Sequence, residues 1–298
     1  PSDVTMAMEK VGVKVYFDQS KPWLPDETHC VIASAAITPE HPQMLEADRR
    51  GLEILLYAQA LGTSMLGRTA VAIAGTHGKS TTTAMLGCAL TDAGVDPSVI
   101  VGATCGQLAM GTRVPRNKQT ATGFRLGAAA IAAGSAKGKP GVLVAEACEY
   151  NRSFHSLHPT IACINNVEAD HLDVYGTLDA VVESFREFAS LLPSAKQGGK
   201  LLIGHDGAHR REICGGLACE VQTIGFSPAA DWVVGYEPST RQVTISHRGL
   251  VIATWTNTLA GAHNASNAAN AFVLAHWLGA DTELVAKSLS QFTGADRR

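Results

Sequence analysis

Thr69-Ala-Val-Ala-Ile-Ala-Gly-Thr-His-Gly-Lys-Ser-Thr-Thr-Thr83 is the stretch whose reading decides the fold. Residues 69–74 are small or β-branched and read as a buried strand. A Gly-rich turn follows, and then a helix expected over 78–93. A strand that passes through glycines into a helix aims the first helical N–H groups at an anion. Lys79 is placed to reach β- and γ-phosphates, and the Ser80 hydroxyl to ligate Mg²⁺. The general phosphate-loop pattern has its first glycine six residues before the lysine, where this chain has Ile73, so the loop is the shorter Gly-x-x-Gly-Lys-Ser form. The alternative is a helix cap and nothing more. It leaves unexplained why strand, glycines, lysine and hydroxyls all occur in the required order. ATP is therefore the expected ligand, held by Gly75, Thr76, His77, Gly78, Lys79, Ser80 and Thr81.

Outward from this loop the chain alternates strands and helices. Apolar strands are expected at 142–145, 160–164, 201–203 and 221–225. An amphipathic helix is expected over 176–192, with Thr177 as N-cap and Asp179 in its first turn. After Asp231 the pattern shifts to strands at 232–236, 243–246 and 251–255, followed by a helix over 264–278. Upstream, a helix near 4–10, strands at 13–17 and 30–33, a helix over 42–61 and a linker over 62–67 are expected. Alternation of this kind predicts an α/β protein with a mainly parallel sheet, helices on both faces and a phosphate-loop-type central ATPase domain.

Two of the strands end in polar clusters, Val144-Ala-Glu-Ala-Cys-Glu-Tyr-Asn151 and Ile164-Asn-Asn-Val-Glu-Ala-Asp-His-Leu-Asp173. Ligands of open α/β sheets collect beyond the carboxyl ends of strands, where these residues fall. Glu146 follows its strand directly and suits a Mg²⁺ ion completed by Ser80 and phosphate oxygens. His171 suits a second divalent ion between the γ-phosphate and an acceptor carboxylate, because phosphoryl transfer between anions needs charge neutralisation. Lys79, Glu146 and His171 are thus the expected catalytic residues, and Ser80, Glu146 and His171 the expected metal ligands. Glu149, Glu168, Asp170 and Asp173 read equally well as solvated loop acids or helix caps. His155 and His158 read equally well as structural. The run His263-Asn-Ala-Ser-Asn267 offers amide donors and acceptors for a purine edge, or a simple N-cap, and the residues alone leave the two readings even.

Composition narrows the class. With 298 residues, one large or two modest domains are expected. A chain 46% hydrophobic and 17% charged buries a sizeable core. The formal net charge of −3, with scattered basic residues, argues against a nucleic-acid binder. An odd count of 7 cysteines without any Cys-x-x-Cys argues against a disulfide framework or zinc site and fits a reducing cytoplasm. No membrane span is expected, since Gly134, Lys137 and Lys139 interrupt the Ala-rich stretch from Gly127. Nothing in the sequence sets the oligomeric state.

Taken together, the phosphate loop, Glu146-Ala-Cys-Glu-Tyr-Asn-Arg-Ser-Phe154, Asn165-Asn-Val-Glu-Ala-Asp-His-Leu-Asp173, Leu259-Ala-Gly-Ala-His-Asn-Ala-Ser-Asn-Ala268 and Phe292-Thr-Gly-Ala-Asp-Arg-Arg298 resemble the Mur ligase family. The resemblance implies an ATP-binding central domain over 67–298. It also implies a partial, Rossmann-like UDP-sugar-binding domain over 1–66, with Ala33-Ser-Ala-Ala-Ile37 near the nucleotide sugar. The front of that domain and a C-terminal amino-acid-binding domain would lie outside the chain. The implied reaction joins L-alanine to the lactyl carboxylate of UDP-N-acetylmuramate through an acyl phosphate, with ATP and Mg²⁺. A preformed stem peptide as acceptor partner, or nucleotide binding without turnover, is the alternative. His263, Asn264 and Asn267 match the segment that contacts the adenine end of ATP. Cys148 stands where many relatives carry Asp.

Overall fold

The computed structural model describes residues 3–10, 12–111 and 122–296. The first helix, α1 (Asp3–Lys10), is followed by an irregular segment, and β1 (Cys30–Ala33), α2 (Pro42–Arg49) and β2 (Glu53–Leu56) then form a small unit. Its two strands pair in parallel, Cys30 opposite Glu53 and Ala33 opposite Leu56. Pro42 stands in the first turn of α2, where its missing N–H costs nothing.

Three upstream expectations are corrected here. Residues 13–17 form no strand. The helix over 42–61 breaks at Gly51, whose φ of 65° is left-handed, and its second half becomes β2 and α3 (Tyr57–Met65). Leu55 and Leu56 therefore serve a strand pairing, opposite Ile32 and Ala33, that outweighs helical periodicity. The linker over 62–67 is mostly helix as well. Gly62 lies so close to the Ser156 carbonyl that a Cβ would sit 1.9 Å from its oxygen, and Leu61 and Met65 are buried.

From β3 (Thr69–Ala74) onward the chain builds one ten-stranded sheet. Its members are β4 (Ser98–Cys105), β5 (Thr122–Arg125), β6 (Val142–Glu146), β7 (Ile161–Ile164), β8 (Lys200–Gly204), β9 (Glu220–Gly225), β10 (Trp232–Glu237), β11 (Gln242–His247) and β12 (Leu250–Thr256). They lie in the order β12-β11-β10-β9-β8-β7-β3-β6-β4-β5. Pairing is parallel from β10 through to β4, and antiparallel at β4–β5, β10–β11 and β11–β12. The expected mainly parallel α/β sheet is therefore present.

Alternate residues of the central strands enter different cores, as the two-residue period of a strand requires. Val71, Ile73, Val142 and Val144 face one core, with α4 (Lys79–Asp92), α8 (Ala262–Trp277) and α9 (Thr282–Gln291). Ala70, Ala72, Leu143 and Ala145 face the other, with α3, α6 (Leu178–Ser190) and α7 (Arg210–Cys214). Helix α4 is buried on every side between Thr82 and Leu90. Gly87 lets it lie against β4, where a Cβ would come within 2.8 Å of Leu108 and 3.0 Å of Val99. Thr177 caps α6 as expected, its side chain accepting from the Ala180 N–H. A short helix, α5 (Leu172–Tyr175), precedes it. The strands β4 and β5 and the helix α9, which Asp281 caps by accepting from the N–H groups of Glu283 and Leu284, are additions to the expected pattern. All seven cysteines are free thiols. Among the described residues, no helix is long and apolar enough to cross a membrane.

Candidate active site

The chain leaves β3 in the middle of the sheet, between β6 and β7, so the loops after these three strands converge. Gly75 (φ 135°) and Gly78 (φ 81°) set the turn into α4. At Gly78 a Cβ would meet Asn267 Oδ1 at 2.3 Å and Asn165 Nδ2 at 3.0 Å, so the position needs glycine twice over. Asn165 ties the site together. Its Nδ2 donates to the His77 carbonyl and to Thr82 Oγ1, both at 3.2 Å, and its Oδ1 accepts from Asn270 Nδ2 at 3.0 Å. Asn166 accepts from the His77 N–H at 2.8 Å, and the Glu168 N–H donates to Thr76 Oγ1 at 2.9 Å. These amides tie the loop to the end of β7 and also line the cavity that opens on it. The sequence signal for them was the Asn-Asn pair closing an apolar strand.

The charged groups fall into two sets. Ser80 Oγ donates to Glu146 Oε1 at 2.9 Å, and the Gly102 N–H donates to Glu146 Oε2 at 2.7 Å. Lys79 Nζ donates to the carbonyls of Gly75 (2.6 Å) and Thr76 (3.1 Å) and to Glu149 Oε1 (2.8 Å). His171 holds a left-handed backbone (φ 51°) and lies edge-on to the Tyr150 ring at 5.1 Å. Its Nε2 is 3.8 Å from both Glu149 Oε1 and Asp170 Oδ2. Among the described residues, the carboxylate and imidazole atoms that gather within 4.8 Å of one another belong to Glu149, Asp170 and His171. Ser80 and Glu146 thus pair as expected, whereas His171 neighbours Glu149 and Asp170, two acids that sequence reasoning left open. Glu149 is almost fully buried, at 2% exposure, which no loop-acid reading accounts for. The Tyr175 hydroxyl donates to the Glu149 backbone carbonyl, and the backbone then turns through left-handed Asn151 and Arg152.

Two cavities adjoin these residues, one opening on the loop and one on Glu146. One, of about 630 Å³, runs from His77, Gly78 and Thr81 past Asn165 to His263, Asn264 and Asn267, with Thr293 to Ala295 on its far side. Gly261, rather than any member of the His-Asn run, occupies the N-cap position of α8 and makes no side-chain cap. Asn264 donates back to the Ala260 carbonyl at 2.7 Å, and Asn267 accepts from Thr82 Oγ1 at 3.3 Å. The cap reading of that run is therefore replaced by cavity lining. His77 is exposed, 3.7 Å from Glu168. His155 is structural, its Nε2 2.9 Å from the Ser184 carbonyl.

The second cavity, of about 740 Å³, lies on the other side of Glu146, between β1, α3 and the turn Tyr150–Ser156. Its polar lining includes Ser34, Tyr57, Glu146, Cys148 and Arg152. Burial and the Glu146 charge push the Tyr57 phenol upward, so it stays protonated and able to donate. Burial likewise raises the Cys148 thiol, which makes it a poor nucleophile at neutral pH.

Comparison with known proteins places this geometry. The family description "Mur ligase middle domain" matches residues 73–275. A UDP-N-acetylmuramate–L-alanine ligase of Paenarthrobacter aurescens is 37% identical over 91% of this chain, covering 54% of that protein. One of Kineococcus radiotolerans is 34% identical over the whole chain, covering 59% of that protein. The chain thus spans between half and two thirds of the length of these curated relatives. Among solved structures, a murein peptide ligase of Psychrobacter arcticus superposes with a TM-score of 0.81 at 24% identity, over 98% of this chain and 61% of that one. A UDP-N-acetylmuramate-alanine ligase of Thermotoga maritima superposes at 0.72 and 20% identity, over 99% of this chain and 61% of that one. At these identities the likeness concerns the fold. The sequence relatives and the middle-domain match agree, and the chain belongs to the Mur ligase family.

Proposed function

We propose that the whole protein joins L-alanine to the lactyl carboxylate of UDP-N-acetylmuramate at the expense of ATP, in the cytoplasm, as a step of peptidoglycan precursor synthesis. Residues 67–298 serve as the ATP-binding domain and 1–66 as part of the UDP-sugar-binding domain. The observation that carries this reading is a cavity opening on the phosphate loop together with a second cavity lined by Glu146, the carboxylate that Ser80 of the same loop hydrogen-bonds. One suits a nucleotide, with the loop amides at its phosphate end and His263, Asn264 and Asn267 at its base end. The other suits an acceptor that approaches from β1 and α3.

In this reading the acceptor carboxylate attacks the γ-phosphate, giving an acyl phosphate and ADP. The amine then attacks the acyl carbon, and phosphate leaves. The chain supplies position and charge rather than a nucleophile. Lys79 and the N-terminus of α4 hold the phosphates, and Tyr57 and Arg152 hold the acceptor's polar end. The donor set fits Mg²⁺, since Ser80 and Glu146 present hydroxyl and carboxylate oxygens side by side. Mg²⁺ on these residues would neutralise charge on the transferring group.

The curated relatives at 34–37% identity named above favour L-alanine over a preformed peptide. The test is ADP release by the full-length gene product with UDP-N-acetylmuramate, ATP and Mg²⁺ across a panel of amino acids and stem peptides. Strong dependence on L-alanine is expected. Release with tripeptide alone moves the acceptor class, and release without any acceptor removes the ligase reading. Lys79→Ala is expected to abolish amide formation, and retained activity would sink the assignment of the loop.

A further inference from the structure

Lys79 has no free proton to offer a phosphate. An ammonium carries three donors, and here they go to Gly75 O, Thr76 O and Glu149 Oε1. A phosphate oxygen therefore gains Lys79 only by displacing one of them. The two carbonyls are fixed by the turn, whereas Glu149 is an anion that an incoming triphosphate repels. Glu149 in turn has little else to hold. Its Oε2 is buried and has no hydrogen-bond partner among the described residues. Losing Lys79 would leave a carboxylate buried without a countercharge, which is strongly unfavourable. The groups at hand to relieve it are His171 and Asp170, whose ligating atoms share a 4.8 Å cluster with Glu149.

Resting on the nucleotide reading above, we propose that Glu149 stands in for phosphate charge in the free protein, neutralising Lys79, and that nucleotide binding transfers its carboxylate to a divalent cation held with Asp170 and His171. Glu149 is then a positioning residue that makes nucleotide and cation bind together. By linkage each must tighten the other by the same factor.

The test measures the dissociation constant of ATP for this chain by calorimetry, in EDTA and in MnCl₂, together with Mn²⁺ binding followed by electron paramagnetic resonance. Glu149→Gln keeps the shape and removes the charge. Without cation, the variant is expected to bind ATP about tenfold tighter than the wild type, the scale of one charge-assisted hydrogen bond. The gain in ATP affinity on adding Mn²⁺ is expected to shrink by a similar factor. A purely structural role would weaken both constants in parallel with their ratio unchanged, and that result would overturn the proposal. Asp170 is partly exposed, so Asp170→Asn gives a second arm should Glu149→Gln fail to fold. It is expected to keep the wild-type ATP affinity in EDTA and lose part of the Mn²⁺ gain, and a wild-type gain there rejects the proposal. If the wild-type chain binds ATP in neither condition, the nucleotide reading itself falls. If it binds and the Gln variant keeps the wild-type ratio, only this inference falls.

Discussion

At the scale of single residues, the phosphate loop was legible because its chemistry is local. Glycine, lysine and hydroxyl must follow a strand in fixed order, and the sequence displays that order. Gly78 sharpens the point. Its φ of 81° and the 2.3 Å approach of Asn267 Oδ1 leave no room for a side chain. Gly78→Ala is expected to cost about 1–3 kcal/mol through backbone strain and to weaken ATP binding, checked by thermal melts and calorimetry on the same sample. Full stability with full affinity would show that the loop can relax. Glu149 was not legible, because it lies beyond the strand end that singles out Glu146, and nothing local separates it from a solvated loop acid. What separates them is tertiary. Glu146 faces Ser80 and the Gly102 N–H, whereas Glu149 is buried and accepts from Lys79. A sequence shows that acids cluster, but the fold decides which of them is buried.

At the scale of elements, periodicity served well where one partner dominates. The central strands followed their expected bounds because both of their faces are buried, giving continuous apolar runs, and α6 because its apolar stripe faces one core. It failed in the middle of the helix expected over 42–61, where Leu55 and Leu56 answer instead to strand pairing with β1. Helix α6 shows how an element distant from the phosphates shapes the site. Its Phe188 stacks on Phe154 at 4.8 Å and its Phe185 meets the same ring edge-on at 5.3 Å, fixing the turn that walls the acceptor cavity. Phe188→Ala is expected to lower stability by about 3–5 kcal/mol, the usual cost of deleting a buried aromatic ring, as read from denaturant unfolding. Affinity for UDP-N-acetylmuramate is expected to fall more than affinity for ATP, because the nucleotide cavity does not include this turn. Equal losses would place the effect in global stability alone.

For the whole molecule, the sheet joins regions with different demands. Its antiparallel end packs Trp232 between His247, stacked at 4.1 Å, and His276, edge-on at 5.5 Å. Burial, together with the nearby His247 and Lys200, lowers the His276 pKa below its usual 6.5. The folded state then binds fewer protons at this site than the unfolded state does. Its contribution to stability is present above about pH 6.5 and is lost as pH falls. Melting temperature is expected to drop between pH 7.5 and 5.5, and less so in His276→Gln. A parallel drop in both proteins would assign the pH dependence elsewhere.

The enclosure of α4 carries one more consequence. Water reaches no side of that helix between Thr82 and Leu90, so its aligned peptide dipoles act through a weakly polarisable medium. Mobile ions can approach only at its two ends, and the field presented to an anion at the loop is set by the fold far more than by ionic strength.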